Sequence, residues 1–141
     1  MSGEFAIRKM KKNKKRQLWK KAKYRQKILR VREKLDPLQG SPQASGIVLE
    51  KRALGQKQPH SGLIKCVRVR LIKNNKEVTA FVPRTGAIKQ VSEHDKVLIE
   101  GLGGSQGGPT GSIPGVKYRV SKVNGIALEE LRTGRKQKPA R

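Results

Sequence analysis

Between residues 65 and 73 the chain reads KCVRVRLIK, in which apolar and basic side chains alternate. Successive side chains of a β-strand point to opposite faces, so this pattern predicts a strand with Val67, Val69 and Leu71 on one face. Arg68 and Arg70 are expected on the other face. Four more segments have strand character and are separated by loops rich in glycine and proline: GIVLEK, KEVTAFV, DKVLIEG and GVKYRVSKVNG.

Five short strands with few helix signals predict a mainly β domain over residues 46–131. A closed five-stranded barrel is favoured over an open sandwich, because five strands are too few for two good sheets and closure removes exposed edges. A narrow barrel needs small, branched inward side chains. The residues expected inside are Val48, Val67, Val69, Leu71, Val78, Ala80, Val97, Ile99, Val116, Tyr118 and Val120.

The charge balance indicates what such a domain would bind. The chain has 34 Lys and Arg against 10 Asp and Glu, a formal net charge of +24. This excess favours a polyanionic partner, and nucleic acid leads because each neutralised phosphate releases a counterion. An anionic membrane surface is the competitor. No segment approaches the roughly 20 apolar residues of a membrane span, no signal peptide is recognised, and a single cysteine excludes an internal disulfide. We therefore expect a soluble intracellular protein.

Basic extensions flank the predicted domain. Residues 1–35 form an arm with 15 Lys and Arg and two acids, built from good helix formers but with apolar positions too sparse to dock on a core. It is expected to be partly helical and to order on RNA. A linker rich in turn residues follows at 36–45, and a basic tail occupies 132–141. The candidate RNA contacts are Arg8, Lys11, Lys12, Lys14, Lys15, Arg16, Trp19, Lys20, Lys21, Lys23 and Arg25 in the arm, and Arg132, Arg135, Lys136 and Lys138 in the tail.

Catalytic and metal chemistry find little support. A catalytic set could be written with Cys66 as nucleophile, His60 or His94 as base, and Asp95 as acid. However, no glycine-rich oxyanion turn surrounds Cys66, and a lone cysteine in a strand is more often a small packing residue. Two histidines and one cysteine do not make a structural zinc site. The glycine-rich stretch 101–116 lacks the Gly-Lys-Ser/Thr ending of a phosphate-binding loop and precedes a strand. The sequence thus predicts no enzyme, no metal and no cofactor.

The polar loop GQKQPHSG contains no carboxylate and leads into the alternating strand. Lys57 supplies charge, while Gln58, His60 and Ser61 supply donors and acceptors for phosphates, 2′-hydroxyls and base edges. Pro59 fixes its backbone φ, which lowers the ordering cost of binding. A plain surface turn is the alternative. We expect Lys65 to bind RNA together with this loop. On the barrel face, the expected RNA contacts are Arg68, Arg70, Lys73 and Arg84.

Four segments resemble a known family: ASGIVLEKRALGQKQPHSGLIKCVRVRLIKNNKEVTAFVP, EHDKVLIEGLGG, IPGVKYRVSKVNG and GRKQKPAR. They are similar to the twelfth protein of the small ribosomal subunit in its archaeal and eukaryotic-type form. The resemblance implies an oligonucleotide/oligosaccharide-binding (OB) barrel, a place at the decoding centre near the A site, and a basic arm threaded through ribosomal RNA. The family's loop reads Lys-Gln-Pro-Asn-Ser and touches the RNA that inspects codon and anticodon. Lys57, Gln58, Pro59 and Ser61 occupy matching positions.

The chain departs from the family pattern at several positions. His60 stands in place of an asparagine, Ile64 in place of an arginine, and Ser112 in place of an aspartate. An asparagine amide donates and accepts at fixed atoms, whereas a histidine ring can change its charge near neutral pH. The family's contact therefore cannot be assumed at His60, and the replacement at Ile64 removes a candidate RNA contact. The turn at 83–86 is less acidic than in the family, so Arg84 is a candidate phosphate contact.

Two functions follow as hypotheses. The first is a structural constituent of the small ribosomal subunit that helps control translational accuracy. Its partners would be small-subunit ribosomal RNA and neighbouring ribosomal proteins, with A-site tRNA, mRNA and the elongation factor close by. It would lie in cytoplasmic ribosomes, with no membrane and no small-molecule substrate. The second is a free OB-fold single-strand-binding protein or RNA chaperone, which would stack bases on aromatic platforms. The β domain has only Phe81 and Tyr118 for this purpose.

Overall fold

The computed structural model describes residues 3–109 and 111–139. The chain divides into two compact units, of which the first ends at Gly40 and the second begins at Ser41. The first unit contains helices α1 (Ala6–Lys20), α2 (Ala22–Ile28) and α3 (Val31–Leu35). None of the three helices contains a buried residue. The predicted arm is thus helical, and its helices lack a buried face because their apolar residues are few.

The second unit is mainly β, as the sequence predicts. Its elements are β1 (Gln43–Gly55), β2 (Leu63–Leu71), β3 (Glu77–Phe81), β4 (Lys96–Gly101), β5 (Tyr118–Val123), β6 (Ile126–Ala127) and helix α4 (Leu128–Thr133), with short 3-10 helices at Ala87–Gln90 and Gly104–Gln106. The strands form one sheet in the order β3-β2-β1-β4-β5-β6. These neighbours are antiparallel. A parallel pairing of β3 with β5 closes the first five strands into a ring.

The structure differs from the prediction in the length of β1. The strand begins at Gln43, inside the predicted linker, because Gln43, Ala44 and Ser45 pair with β4. It also continues past Lys51 to Gly55, pairing with β2 throughout. A bulge between Val48 and Glu50 shifts the register. Backbone pairing with two neighbours therefore extends the strand where side-chain alternation gives no signal.

Two elements near the C-terminus were not predicted, β6 and α4. The α4 sequence LEELRT carries Glu129 and Glu130 in its first turn and Arg132 in its last, which complements the helix dipole. Gly134 ends the helix in the left-handed conformation, with φ of 79°. These signals were present in the sequence, but a six-residue helix is too short for periodicity to identify it.

The core lies inside the ring of strands. Of the eleven residues expected inside, ten are buried. One of the ten, Val116, is buried in a separate cluster with Ile64 and Cys66, and the eleventh, Tyr118, is half-buried. Helix α4 and the 3-10 helix at Ala87–Gln90 contact one another. They add Ala87, Leu128 and Leu131 to the buried set. The apolar residues beyond the strands therefore pack as part of the same unit, and what remains on the surface is largely polar and basic.

Candidate nucleic-acid interface

The polar loop of residues 56–62 lies at the tip of the β1–β2 hairpin, beyond the last strand pair, Gly55 and Leu63. The Gln56 N–H donates to the Gly62 carbonyl at 3.0 Å, and the His60 N–H donates to the Lys57 carbonyl at 3.0 Å. The Gln58–Pro59 peptide bond is cis. All five side chains from Lys57 to Ser61 are exposed. The backbone thus closes on itself and presents its polar groups to solvent.

A second loop supports the first. The Lys57 N–H donates to the main-chain carbonyl of Ser112 at 3.2 Å. The structure therefore joins the two loops that the sequence treats as separate motifs. The contact uses the backbone of Ser112, so it does not depend on which side chain stands at that position.

A small apolar cluster underlies these two loops. Ile64, Cys66 and Val116 are buried, and Leu54, Phe81 and Ile113 pack against them half-buried. Cys66 and Val67 are adjacent on β2 and both fully buried, so the cluster lies on the opposite face of β2 from the core inside the ring. Burial raises the pKa of the Cys66 thiol, which disfavours the nucleophilic thiolate. Ile64, which stands in place of the family's arginine, packs in this cluster beneath the loop.

On the same outer face of β2, the carboxylate of Glu77 pairs with both Arg68 and Arg70. The Arg70 Nη2 lies 3.3 Å from the Glu77 Oε1, and the Arg68 Nε lies 3.4 Å from the Glu77 Oε2. Arg68 also donates to the Thr79 hydroxyl at 3.2 Å. The hydrogen bond from Arg70, aided by Arg68, lowers the pKa of Glu77. Arg68 and Arg70, which are both predicted to contact RNA, thus share the Glu77 carboxylate within the protein.

The structure brings Arg84 and the tail onto one surface, which we call the Arg84–α4 patch. The Arg84 Nε lies 3.6 Å from the Glu129 Oε2, and Arg132 donates to both oxygens of the same carboxylate at 2.6 and 3.2 Å. The hydrogen bond from Arg132, with the charges of Arg84 and Arg135, lowers the pKa of Glu129. The patch consists of the cations Arg84, Arg132, Arg135 and Lys136. The Lys136 Nζ lies 3.0 Å from the Glu130 Oε2.

Lys138 is held inside the second unit. Its Nζ contacts the carboxylate of Asp95 and lies 3.3 Å from both the Gln90 carbonyl and the Ser92 hydroxyl. Asp95 is 1% exposed, and its carboxylate also accepts from the Ser92 N–H at 2.8 Å. Burial opposes the charge of Asp95, but the hydrogen bonds from Lys138 and Ser92 outweigh this effect and lower its pKa. Lys138 was predicted as an RNA contact, and the structure gives its ammonium an intramolecular partner.

A model of the family described as Ribosomal protein S12/S23 matches residues 31–141. The chain belongs to the ribosomal protein S12/S23 family. It is therefore a structural, RNA-binding protein of the small ribosomal subunit, associated with ribosomal RNA and other ribosomal proteins in translation. The match includes the polar loop, both arginines of β2, the patch and Lys138. The resemblance noted in the sequence is confirmed at this level.

The predicted arm residues lie before the matched range and belong to the first unit. All of them are exposed, on α1, on α2 or at Lys21 between these helices. Trp19 is 44% exposed. The cations of the arm are thus available to bind phosphate. The remaining predicted contacts, Lys65 on β2 and Lys73 in the β2–β3 turn, are exposed as well.

The residues that could be written as a catalytic set lie in different surroundings. His60 is exposed in the polar loop, Cys66 is buried beneath it, and Asp95 is engaged by Lys138. Across residues 3–109 and 111–139, no group of three or more His, Cys, Asp and Glu side chains is placed to hold a metal ion. Within the same part of the chain, no helix has the length and apolar character needed to cross a membrane.

Sequence reasoning missed Asp95 as the partner of Lys138. Asp95 directly precedes a strand, and an acid at such a position is typical of an ordinary turn. It also lies 43 positions before Lys138 in the chain, so no local pattern links the two residues. A signal was nonetheless present. A carboxylate in such a basic protein that adjoins an apolar strand can be expected to pair with a cation if the fold buries it.

Proposed function

We propose that this ribosomal protein lies at the decoding centre of the small subunit and helps control the accuracy of codon reading at the A site. The observation that supports this proposal is the polar loop, whose five exposed side chains are presented by a closed backbone supported by Ser112. Such a loop loses little conformational freedom when it binds RNA. The closed ring of five strands and its long β1–β2 hairpin are consistent with an OB-type barrel, which we propose as the fold.

The loop would act by favouring one conformation of the ribosomal RNA over another. Lys57 would bind a phosphate, while Gln58, His60 and Ser61 would bind sugar hydroxyls and base edges. A protein that binds the RNA conformation of the correctly paired state more tightly raises the population of that state without catalysing a step. Catalytic groups are not needed for this role, and the charge and hydrogen-bonding groups of the loop suffice.

The other exposed cations would anchor the protein in the same RNA. The arm, with 15 Lys and Arg and two acids, carries a net charge of +13 out of the total of +24. We propose that residues 1–35 bind ribosomal RNA and that the loop lies close to A-site tRNA, mRNA and the elongation factor. The ribosomes concerned would be cytoplasmic. Lys65, Lys73 and the pair Arg68 and Arg70 are further proposed contacts, with Glu77 competing for the last two.

The alternative, a free single-strand-binding protein, is disfavoured by the aromatic residues of the second unit. Phe81 is half-buried and packs against the cluster beneath the loops, and Tyr118 is half-buried on β5. A half-buried ring offers less surface for base stacking than an exposed one. Contact with phosphates and sugars of prefolded RNA requires no such platform.

Substitution of the loop should change misreading while leaving the fold intact. Two variants test this, Lys57→Ala and Pro59→Ala. Because the Lys57 side chain is exposed, Lys57→Ala should change the unfolding free energy by less than about 1 kcal/mol. Misreading of near-cognate codons by ribosomes that carry either variant should shift at least severalfold, measured with a reporter that requires misincorporation. Lys76→Ala, at an exposed lysine in the β2–β3 turn, is the matched control. Accuracy equal to that of the control would refute the proposal.

A further inference from the structure

The tail is held at two points of the second unit. At its start, the left-handed Gly134 ends α4, and the N–H groups of Arg135 and Lys136 donate to the Glu130 carbonyl at 3.0 and 3.4 Å. Four residues after Gly134, Lys138 enters the pocket formed by Asp95, Ser92 and the Gln90 carbonyl. The segment between these points carries Arg135 and Lys136, both exposed. A segment fixed at both ends displays its side chains in a restricted set of positions.

The pocket is built for a cation. The Asp95 carboxylate is completely buried, whereas 22% of the Lys138 side chain remains exposed. Asp95 is held from several directions, since its Oδ2 accepts from the Ser92 N–H and its Oδ1 lies 3.4 Å from the Asn124 Nδ2. These contacts join the turn before β4, the β5–β6 turn and the tail. Removing Lys138 would leave a buried carboxylate without its counterion, so the pair opposes release of the tail.

We propose that Lys138 and Asp95 are positioning residues, which hold the tail so that the Arg84–α4 patch binds RNA phosphates as one preformed surface. The proposal rests on the RNA-binding function of the protein and assigns Lys138 an indirect role. Its charge is compensated by Asp95. Within the part of the chain that the structure describes, the acids beside Arg84, Arg132, Arg135 and Lys136 are Glu129 and Glu130. A preformed cluster binds more tightly than the same cations on a free segment, because the cost of ordering is met during folding.

The test is binding of the full chain to transcribed small-subunit ribosomal RNA over a range of salt concentrations. Lys138→Gln should weaken binding about tenfold through the added ordering cost. It should leave unchanged the slope of the logarithm of the binding constant against the logarithm of the salt concentration, because no phosphate contact is removed. Lys138→Arg, which keeps the cation, should recover most of the affinity. Lys76→Gln is the control for loss of one exposed charge, and the arm is common to all variants, so its contribution cancels.

Asp95→Asn distinguishes a positioning role from a purely electrostatic one, because the two predict opposite changes in RNA affinity. This variant removes a negative charge, so general electrostatics predicts equal or tighter RNA binding. The positioning role predicts weaker binding. Amide hydrogen exchange should also increase at residues 134–138 in both Asp95→Asn and Lys138→Gln, relative to the wild type. Tighter or unchanged binding by a folded Asp95→Asn would overturn the proposal.

A double-mutant cycle tests the proposal without relying on Asp95. In an Arg135→Gln, Lys136→Gln background, adding Lys138→Gln should change affinity by less than about twofold, because the residues that it positions are gone. Full additivity, or a slope reduced by about one unit in Lys138→Gln alone, would show that Lys138 contacts phosphate directly. Misreading assays of the polar loop are independent of these measurements, so failure here would leave the proposed decoding role untouched.

Discussion

Asp95 shows how a single buried acid can be important in a protein with a net charge of +24. Its folded-state pKa lies below its usual value, because the hydrogen bonds from Lys138, Ser92 and Asn124 outweigh the cost of burial. The charged form therefore stabilises the fold above the unfolded-state pKa, about 4 for an aspartate. This contribution is lost as the pH falls through the lower, folded-state pKa.

At neutral pH, Asp95→Asn should reduce the unfolding free energy by about 2–3 kcal/mol, since it removes the counterion of Lys138. The difference from the wild type should shrink as the pH falls below about 4, when the native carboxyl also becomes neutral. Urea unfolding of both proteins between pH 7 and pH 3 measures this. Glu93→Gln, at an exposed acid of the same turn, is the control and should reduce the unfolding free energy by less than Asp95→Asn does. A difference that stays constant with pH would contradict the assignment.

Among the elements, β1 pairs with β2 along one edge and with β4 along the other. At Gly46 it pairs with Leu71 and with Val97. A Cβ atom there would lie 2.3 Å from the Val69 Cγ1 and 2.8 Å from the Arg70 carbonyl oxygen. The second contact is with backbone that is already paired, so it cannot move aside easily. The close approach of β1 and β2 requires a glycine at this position.

Gly46→Ala should therefore reduce the unfolding free energy by about 1–3 kcal/mol, as overpacking of a core does. Gly55→Ala is the matched control, since Gly55 lies in the same strand and a Cβ there would meet nothing within 4 Å. That variant should change stability by less than about 0.5 kcal/mol. Thermal or urea unfolding of the two variants provides the comparison. Equal effects would show that the contact at Val69 and Arg70 is relieved without cost.

At the scale of the whole molecule, charge and packing are divided between the two units. The arm carries more than half of the net charge, +13 of +24, and its three helices contain no buried residue. The unit from Ser41 onward contains the ring of strands and its core. Stability should thus come from the second unit, and much of the electrostatic attraction to RNA from the first.

Deletion of residues 1–34 should leave the second unit folded but impair its incorporation into small subunits. Circular dichroism should show the strand signal retained, and the truncated protein should occupy severalfold fewer subunits after a high-salt wash. A full-length variant in which Lys11, Lys12, Lys14 and Lys15 become glutamine tests whether charge is the cause, and its occupancy should fall between the two. Normal occupancy of the truncated protein would exclude an anchoring role for the arm.

Local pattern was sufficient for much of this fold. The alternation from Val67 to Leu71 predicted a strand and its inward face, since a two-residue period follows from strand geometry alone. It did not predict that Cys66 would be buried on the outer face, because the residues that cover it, Ile113 and Val116, come from a loop 47 or more positions later. The candidate site was likewise predictable in its residue types, with lysines, arginines and the polar loop read from composition and spacing.

The sequence by itself determined that this protein has a basic arm, a small β unit and a polar loop without carboxylates, because charge and strand periodicity are properties of neighbouring residues. Tertiary structure alone decided which cations face solvent and which are paired within the protein. Ring closure places Glu129 beside Arg84, and the docked tail places Lys138 against Asp95. Such pairings depend on distances in space between residues far apart in the chain, and no local pattern encodes them.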